Sequence, residues 1–299
     1  MLYGTQQPFR QTSLSGFEPP QKKNIVNVAS VKQLSPFRYP GGKTWLVPTV
    51  RRWLKGQEQK PADFIEVFAG GGIIGLTVAH ERLAGHVTMI ELDPEIAAVW
   101  HTILSDDAEW LAKKILDFDL NLANAWKVLE KPAASTREKA FQTILKNRTF
   151  HGGILAPGSG FLKNGENGKG IASRWYPETL AKRIRYIKIF SERITFIEGD
   201  GLQYMRETAQ RPDVTYFIDP PYTAPGKRAG SRLYSFFEID HERLFDITNT
   251  VKGDFMMTYD NTESVRNMAE LRGFDVATIP MKGTHHNEVE EFLITPRSR

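Results

Sequence analysis

The stretch TYFIDPPYT places an acid, two prolines and a tyrosine directly after a short apolar run. Residues 216–218 are typical of a buried strand, and Pro220 and Pro221 cannot continue that strand as helix or as central sheet. We therefore expect the strand to end at Asp219. Open α/β sheets bind their ligands in the crevice beyond the carboxyl ends of their strands. The sequence thus predicts that Asp219 faces a ligand.

These residues could activate an amino group attached to an aromatic base. Such a nitrogen is a poor nucleophile because its lone pair is delocalised into the ring. Two acceptors aimed at its two N–H bonds would localise that lone pair. Asp219 offers one acceptor, and the Pro220 carbonyl, which precedes the second proline in extended backbone, offers the other. Tyr222 could stack on the base. The alternative is a strand-ending turn, Asp219-Pro220-Pro221-Tyr222, without a chemical role.

A glycine-rich turn follows an earlier apolar strand in FIEVFAGGGIIG. Gly70, Gly72 and Gly75 have the GxGxxG spacing, and the acid Glu91 follows about twenty residues later. Two cofactors fit this pattern: a dinucleotide with its pyrophosphate over the glycines, or S-adenosylmethionine with its ribose hydroxyls on the acid. The turn could also serve only to bring a strand close to a helix.

Three further residues bear on the choice of cofactor. Glu66 and Phe68 form an acidic and aromatic entrance that suits the ammonium and sulfonium charges of S-adenosylmethionine better than a pyrophosphate. Asp200 ends a later strand in IEGDG, where it could accept a hydrogen bond from an adenine amino group. It could equally cap the helix that begins near Leu202.

Strands, glycine-bearing turns and amphipathic helices alternate from residue 62 onward. This order predicts an α/β fold with a doubly wound, mostly parallel sheet whose last two strands are antiparallel at one edge. Helical patterns and a long glycine-rich loop interrupt it. We therefore divide the chain into a poorly ordered arm at 1–30, a catalytic domain at 31–104 and 191–299, and an insertion at 105–190.

Positive charge is concentrated in the insertion. The chain has a formal net charge of +4 and a pI near 9.1, but residues 146–188 hold nine Lys or Arg against two acids. A solvated face or a nucleic-acid contact could explain this segment. The chain has no cysteine, which excludes disulfides and a thiol nucleophile. None of its histidines has a metal-ligand spacing, and we find neither a membrane span nor a signal peptide, which favours a cytoplasmic protein.

Taken together, these motifs resemble the Dam-type DNA adenine N6-methyltransferases, the family that carries DPPY after its cofactor motif. The resemblance covers most of residues 35–295 and includes SPFRYPGGK, FIEVFAGGG, IELD, FIEGD and FMMTYDN. It implies a class I S-adenosylmethionine-dependent methyltransferase fold with a helical DNA-recognition insertion. In FMMTYDN, Thr258 and Tyr259 stand where many members have Ser and Asn, so the resemblance assigns them no role.

The resemblance also implies site residues. Those assigned to the cofactor are Tyr39, Lys43, Glu66, Phe68, Gly70, Gly72, Glu91 (with Asp93 as the second candidate for the ribose), Asp200 and Asp219. The segment LKNRTFHGG resembles the Asn-Arg-aromatic part of the family's DNA-reading module. Residues assigned to double-stranded DNA are Arg38, Lys146, Asn147, Arg148, His151, Lys182, Arg183 and Arg185, with Lys227, Arg228 and Arg232 in a second basic loop.

Three other functions stay open from the sequence. One is a methyltransferase acting on RNA adenine or on a protein amide, although such enzymes usually have Asn in place of Asp219. Another is a dinucleotide-dependent oxidoreductase, which would give the DPPY residues and the basic insertion no role. The third is a catalytically silent DNA-binding relative. The recognised DNA sequence, any link to restriction and the oligomeric state cannot be read from the motifs.

Overall fold

The computed structural model describes residues 28–39, 41–165, 168–221, 238–282 and 288–297. Its strands are β1 (Asp63–Glu66), β2 (His86–Glu91), β3 (Ile194–Glu198), β4 (Val214–Ile218), β5 (Asp254–Asp260), β6 (Asp275–Lys282) and β7 (Glu288–Thr295). Its helices are α1 (Val47–Gly56), α2 (Ile73–Glu81), α3 (Pro94–Leu104), α4 (Ala108–Leu116), α5 (Leu122–Glu130), α6 (Thr136–Thr149), α7 (Pro177–Lys188), α8 (Gly201–Thr208), α9 (His241–Thr248) and α10 (Glu263–Leu271).

The strands form one sheet in the order β3-β2-β1-β4-β5-β7-β6. Neighbouring strands from β3 through β5 pair in parallel. β7 pairs antiparallel with both β5 and β6, so it alone among these strands runs against the others. The predicted doubly wound, mostly parallel sheet is thus confirmed, with the antiparallel pairs at one edge. Pro280, which cannot donate a ladder hydrogen bond, lies on the edge strand β6.

Helices cover both faces of the sheet, which explains why β1 and β4 are buried along their whole length. On one face α1 to α4, α6 and α7 enclose a large apolar cluster centred on Phe64, Met89 and Trp100. On the other face α8, α9 and α10 enclose a second cluster that contains Tyr216 and Phe245. The crevice between these layers opens at the carboxyl ends of the parallel strands.

Several helices begin at a residue that caps the first turn just after a strand. Asp93 accepts a hydrogen bond from the Glu95 amide at the start of α3, and Asp200 accepts one from the Leu202 amide at the start of α8. Such caps contribute about 1 kcal/mol each. The short βα turns they close keep strand ends and helix starts together at the sheet's edge.

Between α3 and β3 lie the four helices α4 to α7, in the segment predicted as an insertion. These helices share the larger apolar cluster with the sheet: Leu111, Ile144 and Ile184 are fully buried in it. The segment is therefore packed into the core. That it forms an insertion with a function separate from the rest of the chain stays a prediction. Of the predicted arm, residues 1–27 lie outside the described part. None of the described helices is long and apolar enough to cross a membrane.

Candidate active site

A large cavity of about 1210 Å³ lies beyond the carboxyl ends of β1, β2, β3 and β4. The glycine turn after β1, Glu91 at the end of β2, Asp200 after β3 and Asp219 after β4 all line it. The structure therefore brings together the acids and the turn that the sequence predicted at one edge of the sheet. Tyr39, Lys43, Glu66, Phe68, Pro220 and Pro221 line the same cavity.

Protein groups pack tightly against the glycine turn. A Cβ atom on Gly70 would lie 2.6 Å from the Tyr39 ring, and one on Gly72 would lie 2.5 Å from Met89. Gly72 has a φ of 64°, which disfavours residues with a side chain. Trp100 also donates a hydrogen bond to the Gly70 carbonyl at 2.9 Å. Close packing alone thus explains the glycines, and the argument for a ligand depends on the acids around them.

Glu66 is a buried acid behind the turn. Its Oε2 accepts a hydrogen bond from the Gly75 amide at 2.9 Å, and its side chain is 3% exposed. Burial raises the pKa of Glu66 to about 8, helped by the nearby charges of Asp219 and Glu91. The carboxyl is therefore largely protonated at neutral pH, and a cation bound beside it would favour its ionised form.

Glu91 is held by the turn on the cavity side of β2. Its two carboxyl oxygens accept hydrogen bonds from the Gly70 amide at 2.7 Å and the Asp93 amide at 2.9 Å. Burial raises the pKa of Glu91 to about 7. Asp93, the second candidate, is buried and caps α3, so it does not line the cavity. Asp200 caps α8, which confirms one of its two predicted roles. It also lines the cavity, where its contact with an adenine amino group stays a prediction.

The Asp219 carboxylate is fixed by two donors. Lys43 Nζ lies 2.9 Å from Asp219 Oδ1, and Thr258 Oγ1 donates to the same oxygen at 2.7 Å. Lys43 is buried and also lies 3.6 Å from Glu291 Oε2. Burial alone would lower the pKa of Lys43, but Asp219 and Glu291 together raise it above its usual value. No described residue donates a hydrogen bond to the Pro220 carbonyl.

Asn147 and Arg148, which the sequence predicted to contact DNA, hold segment 35–38 in place inside the fold. Asn147 is fully buried; its amide accepts from the Arg38 amide and donates to the Arg38 and Gly153 carbonyls. Its polar atoms are thus used inside the fold, which argues against the predicted contact of Asn147 with DNA. Arg148, only 5% exposed, donates to the Pro36 carbonyl and lines the cavity, so its contact with DNA stays a prediction.

The remaining described residues that were predicted to contact DNA separate into two groups. Arg38, His151 and Arg183 line the cavity. By contrast Lys146 pairs with Glu95 on α3, and Arg185 pairs with Glu109 on α4 at 2.8 Å. Lys182 is exposed and lies beside Arg185. None of these last three lines the cavity, so their contact with DNA stays a prediction. Tyr222, Lys227, Arg228 and Arg232 lie outside the described residues.

The sequence did not predict the roles of Thr258 on β5 and Glu291 on β7, which hold Asp219 and Lys43. A glutamate in the apolar run EEFLI was the available signal for Glu291, which is 8% exposed. Tyr176, about half exposed at the cavity, was also missed. No group of three or more His, Cys, Asp or Glu that could hold a metal ion is found in the described ranges.

No family model matches this chain, and no curated protein matches it. Among solved structures, it is similar to a precorrin-6y C5,15-methyltransferase from Geobacter metallireducens GS-15, at 11% identity and a TM-score of 0.37 over 84% of this chain and 87% of that one. It is also similar to a putative RNA methyltransferase from Pyrococcus horikoshii, at 10% identity and a TM-score of 0.38 over 90% of this chain and 92% of that one. Likeness at this level does not extend to a substrate. The strand order itself, with β7 antiparallel between β5 and β6, is that of the class I S-adenosylmethionine-dependent methyltransferase fold.

Proposed function

We propose that the chain is a DNA methyltransferase that transfers a methyl group from S-adenosylmethionine to the N6 amino group of adenine. One observation carries the proposal. Asp219, at the end of β4, lines the same cavity as the glycine turn, Glu66 and Glu91, so a single purine could lie between a cofactor and the DPPY acid. The cavity of about 1210 Å³ exceeds the range of about 300 to 1,000 Å³ of ordinary ligand pockets. That volume suits a cofactor together with a base.

The charges of the cavity support this cofactor over a dinucleotide. Burial keeps the pKa of Glu66 near 8 and that of Glu91 near 7. A sulfonium and an ammonium bound nearby would lower both pKa values and gain attraction from the carboxylates. A pyrophosphate would raise both values further and gain nothing. Glu91 is placed to accept hydrogen bonds from the ribose hydroxyls of the cofactor, and Asp200 is placed to accept one from the amino group of the cofactor's adenine.

Bound in this cavity, S-adenosylmethionine supplies an electrophilic methyl group. The residues of the chain act on the other reactant. Because the target adenine is inaccessible inside a duplex, it enters the cavity as an extruded base. Asp219 and the Pro220 carbonyl accept hydrogen bonds from its two amino N–H groups, which localises the nitrogen lone pair. Lys43 and Thr258 keep the carboxylate in one orientation throughout. Asp219 would also take the proton that the amino nitrogen loses on methylation and pass it to water.

A transfer assay with tritiated S-adenosylmethionine tests the proposal. DNA, RNA and protein are offered as separate acceptors, and we expect label only in DNA adenine. Asp219→Ala should lower the rate by about 10² to 10³-fold, as does the loss of one positioned transition-state partner in other enzymes. The matched control is Asp213→Ala, at the opposite end of β4, where the exposed Asp213 pairs only with Arg211 at 2.9 Å.

Two results would contradict the proposal. Label in RNA or protein but not in DNA would reassign the acceptor. Equal rates for Asp219→Ala and Asp213→Ala would remove Asp219 from the reaction. Sequencing of N6-methyladenine in DNA from cells that express the chain identifies the target sequence in the same set of experiments.

A further inference from the structure

One part of the cavity wall is built from arginines that lack acidic partners. Arg38 precedes α1, Arg148 lies on α6 and Arg183 lies on α7, and all three line the cavity. None of the three forms an ion pair with any described residue. This wall therefore differs from the acids Glu66, Glu91 and Asp219 that line the same cavity.

Arg148 is the most buried of these three arginines. Its side chain is only 5% exposed, and its Nε has no hydrogen-bond partner within the described part of the chain. Burial, together with the neighbouring charges of Arg183, Arg38 and Arg174, lowers the pKa of Arg148 to about 9. A buried guanidinium beside like charges is costly unless an opposite charge accompanies it.

Arg38 and Arg183 point to the same conclusion. Burial lowers the pKa of each of them, and for Arg38 the charge of Arg174 contributes as well. Arg183 uses one nitrogen to donate to the Ser35 carbonyl at 2.9 Å. The guanidinium of Arg38 makes no hydrogen bond to any of the described residues, although its backbone is fixed by Asn147. Arg38 is thus a cation fixed in position at its backbone, with a side chain available to a ligand.

We propose that Arg38, Arg148 and Arg183 form a site for successive phosphates of the DNA strand that carries the target adenine. The inference rests on the proposed function and specifies how that substrate is held. Guanidinium groups match the geometry of phosphate oxygens and form paired hydrogen bonds with them. Tyr176, about half exposed, lines the same cavity and offers an aromatic face to a neighbouring base.

The carboxylate of the cofactor's methionine part is the other anion that this cavity could receive. A single carboxylate would leave most of the charge of three arginines uncompensated. Successive phosphates of a strand compensate it more fully, and the contribution of α6 and α7 extends the wall into the most basic segment of the chain. Binding of the cofactor's carboxylate by the arginines is therefore the alternative that the experiment below distinguishes from the proposal.

The test variant is Arg38→Gln, because this side chain has no hydrogen bond to lose among the described residues. Binding of a fluorescent duplex that contains the methylated sequence is measured by anisotropy over a range of salt concentrations. We expect the affinity to fall about tenfold near 0.1 M salt and the slope of log K against log salt to become shallower by about 1. Affinity for S-adenosylhomocysteine, measured by calorimetry, should change less than about twofold. The control is Arg137→Gln, an exposed insertion arginine that pairs with Asp107 and does not line the cavity.

Each outcome decides whether the three arginines bind phosphates of the DNA. Unchanged affinity and slope in Arg38→Gln, or a change equal to that in Arg137→Gln, would overturn the phosphate site. A loss of affinity for S-adenosylhomocysteine with unchanged DNA binding would assign the arginines to the cofactor's carboxylate and also overturn it. In both cases the wild-type protein would still methylate DNA. If instead the slope changes but the wild-type protein labels no DNA, the phosphate site stands and the proposed function fails.

Discussion

Replacing Glu66 by Gln should remove a pH-dependent loss of stability. Burial raises the pKa of Glu66 from the ordinary 4.5 to about 8. The folded chain therefore holds this proton more tightly than the unfolded chain. Its contribution to folding is full below pH 4.5, declines as the pH rises from about 4.5 to about 8, and stays low above that. A glutamine at this position keeps an oxygen for the Gly75 amide and has no proton to lose.

The size of the effect follows from the two pKa values. Each pKa unit between the folded and unfolded chain corresponds to about 1.4 kcal/mol. Between pH 5 and pH 9, the free energy of unfolding of Glu66→Gln relative to wild type should therefore rise by on the order of 4 kcal/mol. Glu91, whose pKa is raised to about 7 by burial, contributes to both proteins and largely cancels in the comparison.

Urea unfolding followed by circular dichroism at pH 5, 7 and 9 measures this difference. Glu130→Gln is the control, because Glu130 ends α5 and is exposed. Its free energy of unfolding should differ from that of the wild-type protein by the same amount at all three pH values. The same result for Glu66→Gln would mean that the Glu66 carboxyl is solvated in the folded chain, and the account of the acidic side of the cavity would be wrong.

Two further substitutions test how the site is held. Thr258→Val removes the hydroxyl that donates to Asp219 at 2.7 Å; a hydrogen bond to a charged group contributes about 1.5 to 3 kcal/mol, so kcat should fall by about tenfold or more. Thr88→Val removes a similar bond to the buried Asp63, at 3.2 Å and at the far end of the sheet, and equal kcat values for the two variants would refute the positioning role. Asn147→Ala leaves Arg38 and Gly153 backbone groups without partners and should lower the free energy of unfolding by about 2 kcal/mol or more; a loss below about 0.5 kcal/mol in urea unfolding would show that segment 35–38 is not held there.

Local backbone restrictions explain why the sequence could predict which residues lie at the carboxyl ends of the strands. The prolines after Asp219 and the glycines after β1 end strands by backbone restrictions that need no tertiary information. The acids at those strand ends are then brought together by the parallel sheet itself. Asp200 shows how far this reasoning extends, since both of its predicted roles fit its position.

The partners of these residues could not be predicted in the same way. Thr258 and Glu291 reach Asp219 and Lys43 because β5 lies beside β4 and β7 lies beside β5, and strand order is not written in local patterns. Asn147 is a polar residue on a basic helix, a pattern that indicates an exposed contact; only its bonds to a segment 109 residues earlier bury it.

For α7, the helical period does contain the missing information. Leu180, Ile184 and Ile187 form its buried face, Arg183 lies at the border of that face, and Lys182 and Arg185 lie on the opposite side. A helical projection would have separated the cavity arginine from the two solvent-facing cations.

The hydrogen bonds of segment 35–38 also bear on the order of folding. They join it to Asn147, Arg148 and Arg183, across separations of 109, 112 and 148 residues. Contacts between positions so remote along the polymer form slowly, because the intervening loop must close first. On the ribosome, these residues emerge long before their partners have been translated. We therefore expect the wall that they build to be completed late, after α6 and α7 have docked on the sheet.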